Sequence, residues 1–310
     1  MRKVLTVLAV VVVLTLIGVG ALRWWQAPPG QDDPLPAEQA APGQAPPRQP
    51  EGCPEVEVIS APGTWESAAD DDPLNPHAAR LSFLRTVTTP VRERYPQERV
   101  KIWTLPYAAQ FRNINAPAEM SYDDSRTQGT DRVRAEMVET HRQCPGTDFV
   151  LTGFSQGAVL LGDLAEELGG PQAAVPPERI RGIALVADGR RVPGQGVAVG
   201  SPVTGVGAEV ALQPLSAVVQ PIVPGATMRG PRGGFGALDD RVYQVCAPDD
   251  HICDAPRDVG NALGRARDLI AAGGVHAQYG TNPHVFPGTT TDRWLVDWIG
   301  AMIDGAPAPQ

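Results

Sequence analysis

The chain has 310 residues, of which 42% are hydrophobic and 5% aromatic, and it carries a formal net charge of −9. This length suits one large or two small domains, and the hydrophobic residues are numerous enough for a core built mainly from aliphatic side chains. The acidic balance, without any basic stripe, argues against a nucleic-acid partner. It also argues against attachment to anionic lipid through a polybasic patch.

The N-terminus carries a long apolar segment. Two basic residues precede residues 4–22, which are almost wholly apolar, and two tryptophans follow closely. The segment is close to the ~20 residues that span a bilayer as a helix and exceeds the ~7–15-residue apolar core of an ordinary signal peptide. We therefore favour a membrane anchor within residues 1–25, whereas cleavage of residues 1–21 would make the protein secreted. In both cases the positive charges place the remaining chain outside the cytoplasm, in or near the cell envelope.

A single folded domain is expected between two irregular segments. Residues 26–50 are dense in Pro, Gln, Ala and Gly, with almost no large apolar side chains. Such a segment cannot bury enough surface to fold, and we expect an extended linker. Residues 305–310 form a short tail of similar composition. The domain therefore spans residues 51–304.

Strands and helices alternate within this domain. Strands are expected at residues 56–59, 100–103, 149–152, 183–186 and 242–245. Helices are expected at residues 77–95, 124–142, 156–168, 258–271 and 292–303. We expect an interruption of the first helix at Pro90, and a cap from Asp124 or Ser125 at the start of the second. The alternation predicts an α/β fold, with a mostly parallel sheet and helices on both faces.

Residues 189–240 differ from the rest of the domain. They are rich in Gly, Pro and Val and show weak periodicity, yet they are too apolar for a disordered linker. They could be an ordered excursion over a site or a loosely packed surface. A lid over the site is a further hypothesis.

A serine lies at a sharp turn between a strand and a helix. Residues 153–157 read G-F-S-Q-G, after an apolar strand and before a helical pattern. This arrangement is typical of the nucleophile elbow, which exposes a serine hydroxyl at the carboxyl edge of a sheet. The two glycines leave room for neighbouring backbone in a strained turn. Ser155 is therefore the candidate nucleophile, the alternative being a coincidental turn of the same shape.

A serine hydroxyl needs a base to remove its proton, and the base needs an acid to orient it. In sheets of this type the chain order is serine, acid, histidine. Three histidines follow Ser155 in the sequence. His276 is favoured because it lies in a loop region before the last helix. His284 is the second choice and His251, adjacent to the expected acid, the third.

The richest source of an acid is the segment C-A-P-D-D-H-I-C at residues 246–253. Asp249 and Asp250 compete for the role, and either could serve only to form the turn. Asp188, at the end of another strand, is a weaker candidate.

The negative charge of a tetrahedral intermediate requires hydrogen-bond donors. The backbone N–H of Gln156 suits this role because it lies at a helix N-terminus. Thr64 follows the first strand, and its N–H and hydroxyl could supply the second donor. It could equally be a residue that only caps a turn.

The chain contains four cysteines: Cys53, Cys144, Cys246 and Cys253. An even number in an exported protein favours two disulfides, for which three pairings are possible. A zinc site is disfavoured, because the spacings lack a C-x-x-C pair and no histidine is suitably placed.

Taken together, these features resemble the cutinase family of serine esterases, and most of all the anchored cutinase-like envelope lipases of mycolate-producing actinobacteria. The resemblance covers residues 52–304. It rests on Cys144 eleven residues before Ser155, the G-F-S-Q-G elbow, the Cys-x6-Cys loop and the H-x-x-Y-G motif at His276. The family fold implied is a minimal α/β-hydrolase with a five-stranded sheet.

The resemblance also assigns roles to individual residues. It implies Ser155 as the nucleophile, His276 as the base and Asp250, rather than its neighbour, as the acid. Thr64 stands where the family has a serine or threonine that completes the oxyanion hole, with Gln156 as the other donor. The implied disulfides are Cys53–Cys144 and Cys246–Cys253. No metal or organic cofactor is implied.

The expected function is therefore that of an exported serine carboxylesterase or lipase. Anchor, spacer and the long stretch between Ser155 and Cys246 argue against polyesters. The resemblance to the anchored members of the family implies long-chain acyl esters or thioesters of envelope lipids, phospholipids included. One alternative is acyl transfer to an envelope lipid by the same nucleophile. Another is a non-catalytic binding or scaffold protein on the same fold. We expect a monomer that contacts the membrane through residues 4–22.

Overall fold

A parallel β-sheet forms the centre of the computed structural model, which describes residues 49–221, 223–256 and 273–309. Within these ranges six strands pair in the order β2-β1-β3-β4-β6-β5, and every pairing is parallel. The strands are β1 (Val56–Ala61), β2 (Val100–Thr104), β3 (Asp148–Phe154), β4 (Ile180–Val186), β5 (Val197–Val199) and β6 (Val242–Val245).

Helices connect these strands. Those described are α1 (Phe83–Arg94), α2 (Tyr122–Gln143), α3 (Gln156–Leu168), α4 (Ala208–Leu212), α5 (Ser216–Val219), α6 (Gly273–His276) and α7 (Thr291–Asp304). Short 3-10 turns lie at Pro177–Arg179, Gln213–Leu215 and Gly236–Leu238. None of the helices in the described ranges is long and apolar enough to cross a bilayer. The predicted anchor at residues 4–22 and the predicted helix at residues 258–271 lie outside those ranges.

The sheet is covered by helices on both faces, as the sequence predicts. Alternate residues of β3 divide between two apolar clusters: Val150 packs with α1 and α7, whereas Leu151 packs with α2 and α3. Both side chains are fully buried. Strands buried on two faces read as continuous apolar runs, which explains why these segments show little polar alternation.

The expectation of five strands was wrong by one. The sixth, β5, is a three-residue strand at the edge of the sheet, paired with β6. It lies within residues 189–240, where flanking glycines and the short length hide any strand periodicity. The prediction of a mostly parallel α/β sheet is confirmed.

Two helix starts differ from the predictions for the same physical reason, which is side-chain capping. Helix α1 begins at Phe83, not at residue 77, and its first N–H donates to the Glu66 carboxylate at 3.1 Å. It continues through Pro90, because the apolar residues on both sides of the proline are buried in the core. Helix α2 is capped by Ser121, whose hydroxyl accepts from the Asp124 N–H at 3.1 Å. The caps expected for α2, Asp124 or Ser125, lie about one turn after the observed cap.

Buried ion pairs hold part of residues 189–240 against α3. The Arg232 guanidinium, whose side chain is 0% exposed, contacts Asp188 at 2.6 Å and Asp163 at 2.9 Å. Arg190 and Arg229 also pair with Asp163. Burial alone would raise the pKa of Asp163, but the three guanidinium groups outweigh it and lower the value from 3.8 to about 2. Asp163 is therefore the centre of a charge cluster that fixes this segment to the domain.

The charge cluster continues to the active-site side of the domain. Glu209 in α4 accepts from the Tyr122 hydroxyl at 2.7 Å and from the Arg229 Nε at 2.8 Å. An added Cβ at Gly162 of α3 would lie 2.6 Å from the guanidinium carbon of Arg232, so the glycine makes room for the buried arginine. The segment that carries Glu209 is thus an ordered part of the fold.

Replacing Arg232 with methionine should lower the free energy of unfolding by about 3–5 kcal/mol, because it leaves Asp188 buried without its partner. Urea denaturation followed by circular dichroism measures this difference. Arg142→Met is the matched control, since its ion pair with Glu139 is exposed and should leave the free energy of unfolding nearly unchanged. A loss of under about 1 kcal/mol for Arg232→Met would mean that the buried pair is not what holds the segment.

Candidate active site

Ser155 occupies a strained turn between β3 and α3. Its backbone has φ 53° and ψ −117°, in a region that residues with a Cβ rarely adopt. An added Cβ at Gly157 would lie 1.9 Å from the Ala61 carbonyl oxygen, and one at Gly153 would lie 2.5 Å from the Gly157 carbonyl oxygen. Both glycines are therefore required by close backbone contacts. The Ser155 N–H donates to the Val186 carbonyl at 2.9 Å, which anchors the turn to β4.

Ser155, His276 and Asp250 form a continuous chain of hydrogen bonds. The Ser155 Oγ lies 2.9 Å from His276 Nε2, and His276 Nδ1 lies 2.9 Å from Asp250 Oδ2. The histidine side chain is 19% exposed and the aspartate side chain 0%. With Nδ1 donating to the carboxylate, Nε2 is free to accept the serine proton. The arrangement can therefore deprotonate a serine and hold the resulting imidazolium.

Asp250 is fixed by its own loop and by a tyrosine. Its Oδ1 accepts from the Ile252 N–H at 3.1 Å, and its Oδ2 accepts from the Tyr279 hydroxyl at 2.7 Å. Burial and the Asp250 charge both raise the pKa of Tyr279 well above its usual value, so the phenol keeps its proton. The Tyr279 oxygen in turn accepts from the Ala247 N–H at 2.9 Å. The carboxylate thus has fixed donors on both oxygens.

Aromatic rings pack against one face of the His276 imidazole. The His276 ring stacks on Phe154 with centroids 5.0 Å apart and an interplanar angle of 22°. Phe83 packs on the same phenylalanine at 5.0 Å, and Tyr279 does so at 5.6 Å. The imidazole therefore has a defined plane as well as hydrogen-bond partners.

Thr64 and Gln156 both line the cavity into which Ser155 opens. Gln156 is the first residue of α3, so its N–H has no partner within the helix. The Gln156 side chain is fixed by two hydrogen bonds of 3.1 Å. Its Oε1 accepts from the Ser125 hydroxyl, and its Nε2 donates to the Gln110 carbonyl. The N-terminus of α3 and the loop after β1 thus meet beside the serine.

The cavity at Ser155 is large and mostly apolar, with a volume of about 740 Å³. Its polar residues include Thr64, Glu66, Glu209 and His276. Its apolar lining comes from Trp65, Leu81, Phe83, Phe111, Phe154, Val159, Leu212, Met228 and Ile252. Two members of this lining, Trp65 and Leu81, are 61% and 98% exposed, so apolar side chains also border the mouth.

Comparison with known proteins places the chain in a family. The family model for cutinase matches residues 52–264. This protein belongs to the cutinase family. It is 57% identical over 311 residues to the carboxylesterase Culp6 homolog of Corynebacterium glutamicum, covering 98% of this chain and 99% of the relative. The chain is accordingly a serine ester hydrolase of actinobacterial cutinase-like type.

More distant relatives cover less of the sequence or superpose only partly. Carboxylesterase Culp1 of Mycobacterium tuberculosis is 28% identical over 143 residues, covering 45% of this chain and 50% of that protein. The structure of a cutinase-like protein from Cryptococcus sp. is 17% identical, with a TM-score of 0.47 and coverage of 84% of this chain and all of that one. An acetyl xylan esterase is 19% identical, with a TM-score of 0.45 and coverage of 73% and 99%.

The remaining sequence candidates lie apart from this hydrogen-bonded chain. His284 is exposed, and the His251 ring contacts a backbone carbonyl of its own loop. Asp249 is exposed and has a left-handed backbone with φ 65°, whereas the next residue, Asp250, is buried. Asp188 is paired with Arg232 in the charge cluster. Of the candidates weighed from sequence, the structure therefore brings together the favoured serine, acid and base.

Two residues at the site were not singled out by reasoning from the sequence. Tyr279 entered only as part of the family motif, although its position three residues after His276 is the signal that it shares the same turn. No sequence motif marks Glu66. The signal that it offers is its position two residues after Thr64, as the only charged residue within residues 61–69.

Both disulfides implied by the family resemblance are present. Cys53 pairs with Cys144, and Cys246 pairs with Cys253. The first joins the start of the domain to the end of α2. The second closes the loop that carries Asp250. Two disulfides are typical of proteins that fold outside the cytoplasm.

Proposed function

We propose that this esterase is an exported, membrane-anchored enzyme that hydrolyses long-chain acyl esters or acyl thioesters of envelope lipids. The observation that carries the proposal is the large apolar cavity at Ser155. Pockets of about 300–1,000 Å³ suffice to bury a drug-sized ligand, and a cavity of about 740 Å³ gives an acyl chain room to leave water. Each buried methylene contributes about 0.8 kcal/mol, which favours long chains.

The mechanism follows from the hydrogen bonds around Ser155. The Ser155 Oγ attacks the acyl carbonyl carbon while His276 Nε2 takes the hydroxyl proton. Asp250 holds the imidazole and stabilises its positive charge. The imidazolium then returns the proton to the leaving alcohol or thiol as the tetrahedral intermediate collapses to an acyl-serine. A water molecule, deprotonated by the same histidine, releases the fatty acid and regenerates the serine.

The intermediate carries its negative charge on the former carbonyl oxygen. We assign the Gln156 N–H as one donor to this oxygen, since it lies at the positive end of the α3 dipole. The Thr64 N–H and hydroxyl are assigned as the others. The placement of both residues on the cavity wall beside Ser155 supports this assignment.

The location of the enzyme is proposed from the sequence and the disulfides together. The apolar run at residues 4–22 would anchor the chain, and residues 26–50 would hold the catalytic domain away from the bilayer. Two disulfides support an oxidising compartment. An anchored esterase with an apolar mouth would meet lipid substrates at the envelope.

Filling the cavity at Leu212 tests the proposed substrate class. Leu212 lines the cavity. Leu212→Trp should lower kcat/KM for p-nitrophenyl palmitate at least about tenfold and change that for the butyrate ester less than about threefold, because a long acyl chain needs more of the cavity volume than a short one. Leu74→Trp, an exposed position outside the cavity lining, is the matched control. Mass spectrometry of fatty acids released from an envelope-lipid extract checks the natural substrates. Equal losses for both esters, or no release from the extract, would contradict a long-chain lipid substrate.

A further inference from the structure

Glu66 is a carboxylate on the wall of the active-site cavity that the proposed mechanism does not use. It follows Thr64 by two residues in the loop between β1 and α1, and it lines the cavity together with Ser155 and His276. Its carboxylate accepts three hydrogen bonds. The donors are the Gly63 N–H at 3.3 Å, the Ser82 hydroxyl at 3.1 Å and the Phe83 N–H at 3.1 Å.

Hydrogen bonds hold the backbone on both sides of Thr64, and Glu66 accepts the one on the Gly63 side. On one side, the Gly63 N–H donates to Glu66, and an added Cβ at Gly63 would lie only 2.9 Å from the Phe154 ring. On the other side, Trp65 has a left-handed φ of 63°, and its N–H donates to the Ala109 carbonyl at 2.6 Å. The Glu66 carboxylate is therefore one of several attachments of the loop that carries Thr64, together with the Glu66 N–H, which donates to the Gly63 carbonyl at 3.0 Å, and the Tyr107 hydroxyl, which donates to the Pro62 carbonyl at 2.6 Å.

The same carboxylate also connects this loop to the support of the base. Its bond to the Phe83 N–H joins it to the start of α1. The Phe83 ring packs on Phe154, which stacks on His276. Glu66 thus holds together the two structures that flank Ser155: the loop with the oxyanion donor and the aromatic floor of the imidazole.

The charge of Glu66 also interacts with the catalytic centre. Burial raises the pKa of Glu66 above its usual value, and the hydrogen bonds from Phe83, Gly63 and Ser82 and the charge of His276 offset part of this rise. Glu66 also lines a second, small cavity, together with the charged residues Asp71 and Arg85. The pKa of Tyr107 is raised well above its usual value by burial and by Glu66. Among the residues that the structure describes, the titratable side chains in contact with His276 are Asp250 and Tyr279.

We propose that Glu66 is a positioning residue for ester hydrolysis, whose carboxylate fixes the loop that presents Thr64 and adds a second negative charge near the His276 imidazolium. The inference rests on the roles proposed above for Ser155 and His276. A glutamine at this position cannot replace the carboxylate. Its amide accepts hydrogen bonds only through the oxygen, and its NH₂ group would face N–H or O–H groups that are themselves donors. Loss of a complete oxyanion donor typically costs 10²–10³-fold in kcat, so a displaced donor should cost less.

The test compares Glu66→Gln, Glu66→Asp and Ser155→Ala with the wild-type enzyme, using p-nitrophenyl butyrate across pH. Glu66→Gln should lower kcat about 10- to 100-fold with KM within about threefold, and should move the acidic limb of kcat/KM to lower pH by roughly half a unit. Glu66→Asp keeps the charge but is too short to reach all three donors. It should lower kcat about tenfold and leave the acidic limb in place. Glu139→Gln, an exposed glutamate on α2, is the matched control.

The outcomes separate this inference from the proposed function. If Ser155→Ala hydrolyses the ester as fast as the wild type, the proposed function fails and the inference with it. If Ser155→Ala is inactive while Glu66→Gln keeps its kcat within twofold, only the inference is overturned. A loss of kcat in Glu66→Gln without any movement of the acidic limb also overturns it, since a merely structural role predicts that result. Should Glu66→Gln not fold, a wild-type kcat in Glu66→Asp overturns the inference.

Discussion

Replacing Ser155 with alanine should lower kcat/KM for ester substrates by at least about 10⁴-fold. The reason is that no other hydroxyl in the described part of the chain shares the position 2.9 Å from His276 Nε2. Residual hydrolysis would come from substrate binding and from the oxyanion donors acting on water. Covalent labelling by a fluorophosphonate should be lost completely, because the reagent forms its bond to the serine oxygen.

The measurement uses p-nitrophenyl butyrate turnover and gel fluorescence of a tagged fluorophosphonate. Ser201→Ala is the matched control, since this serine lies outside the residues that line the cavity and should leave both signals unchanged. Thermal unfolding should give the same midpoint for Ser155→Ala and the wild type within a few degrees. A Ser155→Ala variant that still labels and turns over would place the nucleophile elsewhere.

The sequence predicted the elements around Ser155 accurately, for a physical reason. The helix at residues 156–168 and the strand at residues 242–245 have the predicted bounds in the structure. The helix is followed by two glycines and the strand is preceded by a charged residue, and the apolar side chains of both are mostly buried, so local pattern and tertiary packing agree. The elbow motif is also short in sequence, although the contact that requires Gly157 is with the carbonyl of Ala61 in a different strand.

Features that depend on partners distant in sequence were not predictable in this way. The start of α1 is set by Glu66, which lies 17 residues before the N–H that it accepts from. The buried pair of Arg232 with Asp163 joins side chains that are 69 residues apart. The same holds for the acid: two adjacent aspartates gave equal signals from their own sequence, and the family resemblance decided between them.

The charge cluster also bears on the lid hypothesis for residues 189–240. Arg232 in this segment is fully buried against α3, and Glu209 contributes to the cavity wall while bonded to Tyr122 and Arg229. Opening such a segment would expose several paired charges at once and break their hydrogen bonds. These contacts favour a fixed wall, which would set the shape available to the acyl chain, over a lid that swings away.

Asp250→Asn should lower kcat by about 10⁴-fold while leaving KM within a few fold. The Asp250 Oδ2 accepts from both His276 Nδ1 and the Tyr279 hydroxyl, at 2.9 Å and 2.7 Å. An asparagine NH₂ group at this position would face the His276 Nδ1–H and the Tyr279 hydroxyl, which are both donors. An asparagine oxygen there would keep the bonds but lose the charge that stabilises the imidazolium. Either orientation weakens the base, and the first also favours the wrong tautomer of His276.

Two further variants separate the charge of Asp250 from the packing of its loop. Asp249→Asn is the matched control, because this neighbour is exposed and should retain wild-type kcat. Tyr279→Phe removes one hydrogen bond to a buried carboxylate, and such a bond contributes about 1.5–3 kcal/mol. Lost in full from the transition state, it would lower kcat by about 10- to 100-fold. Steady-state kinetics on p-nitrophenyl butyrate, with thermal unfolding to verify folding, gives all three values. If Asp249→Asn lost activity and Asp250→Asn kept it, the acid would be the exposed residue, and the buried carboxylate would serve only to hold the loop.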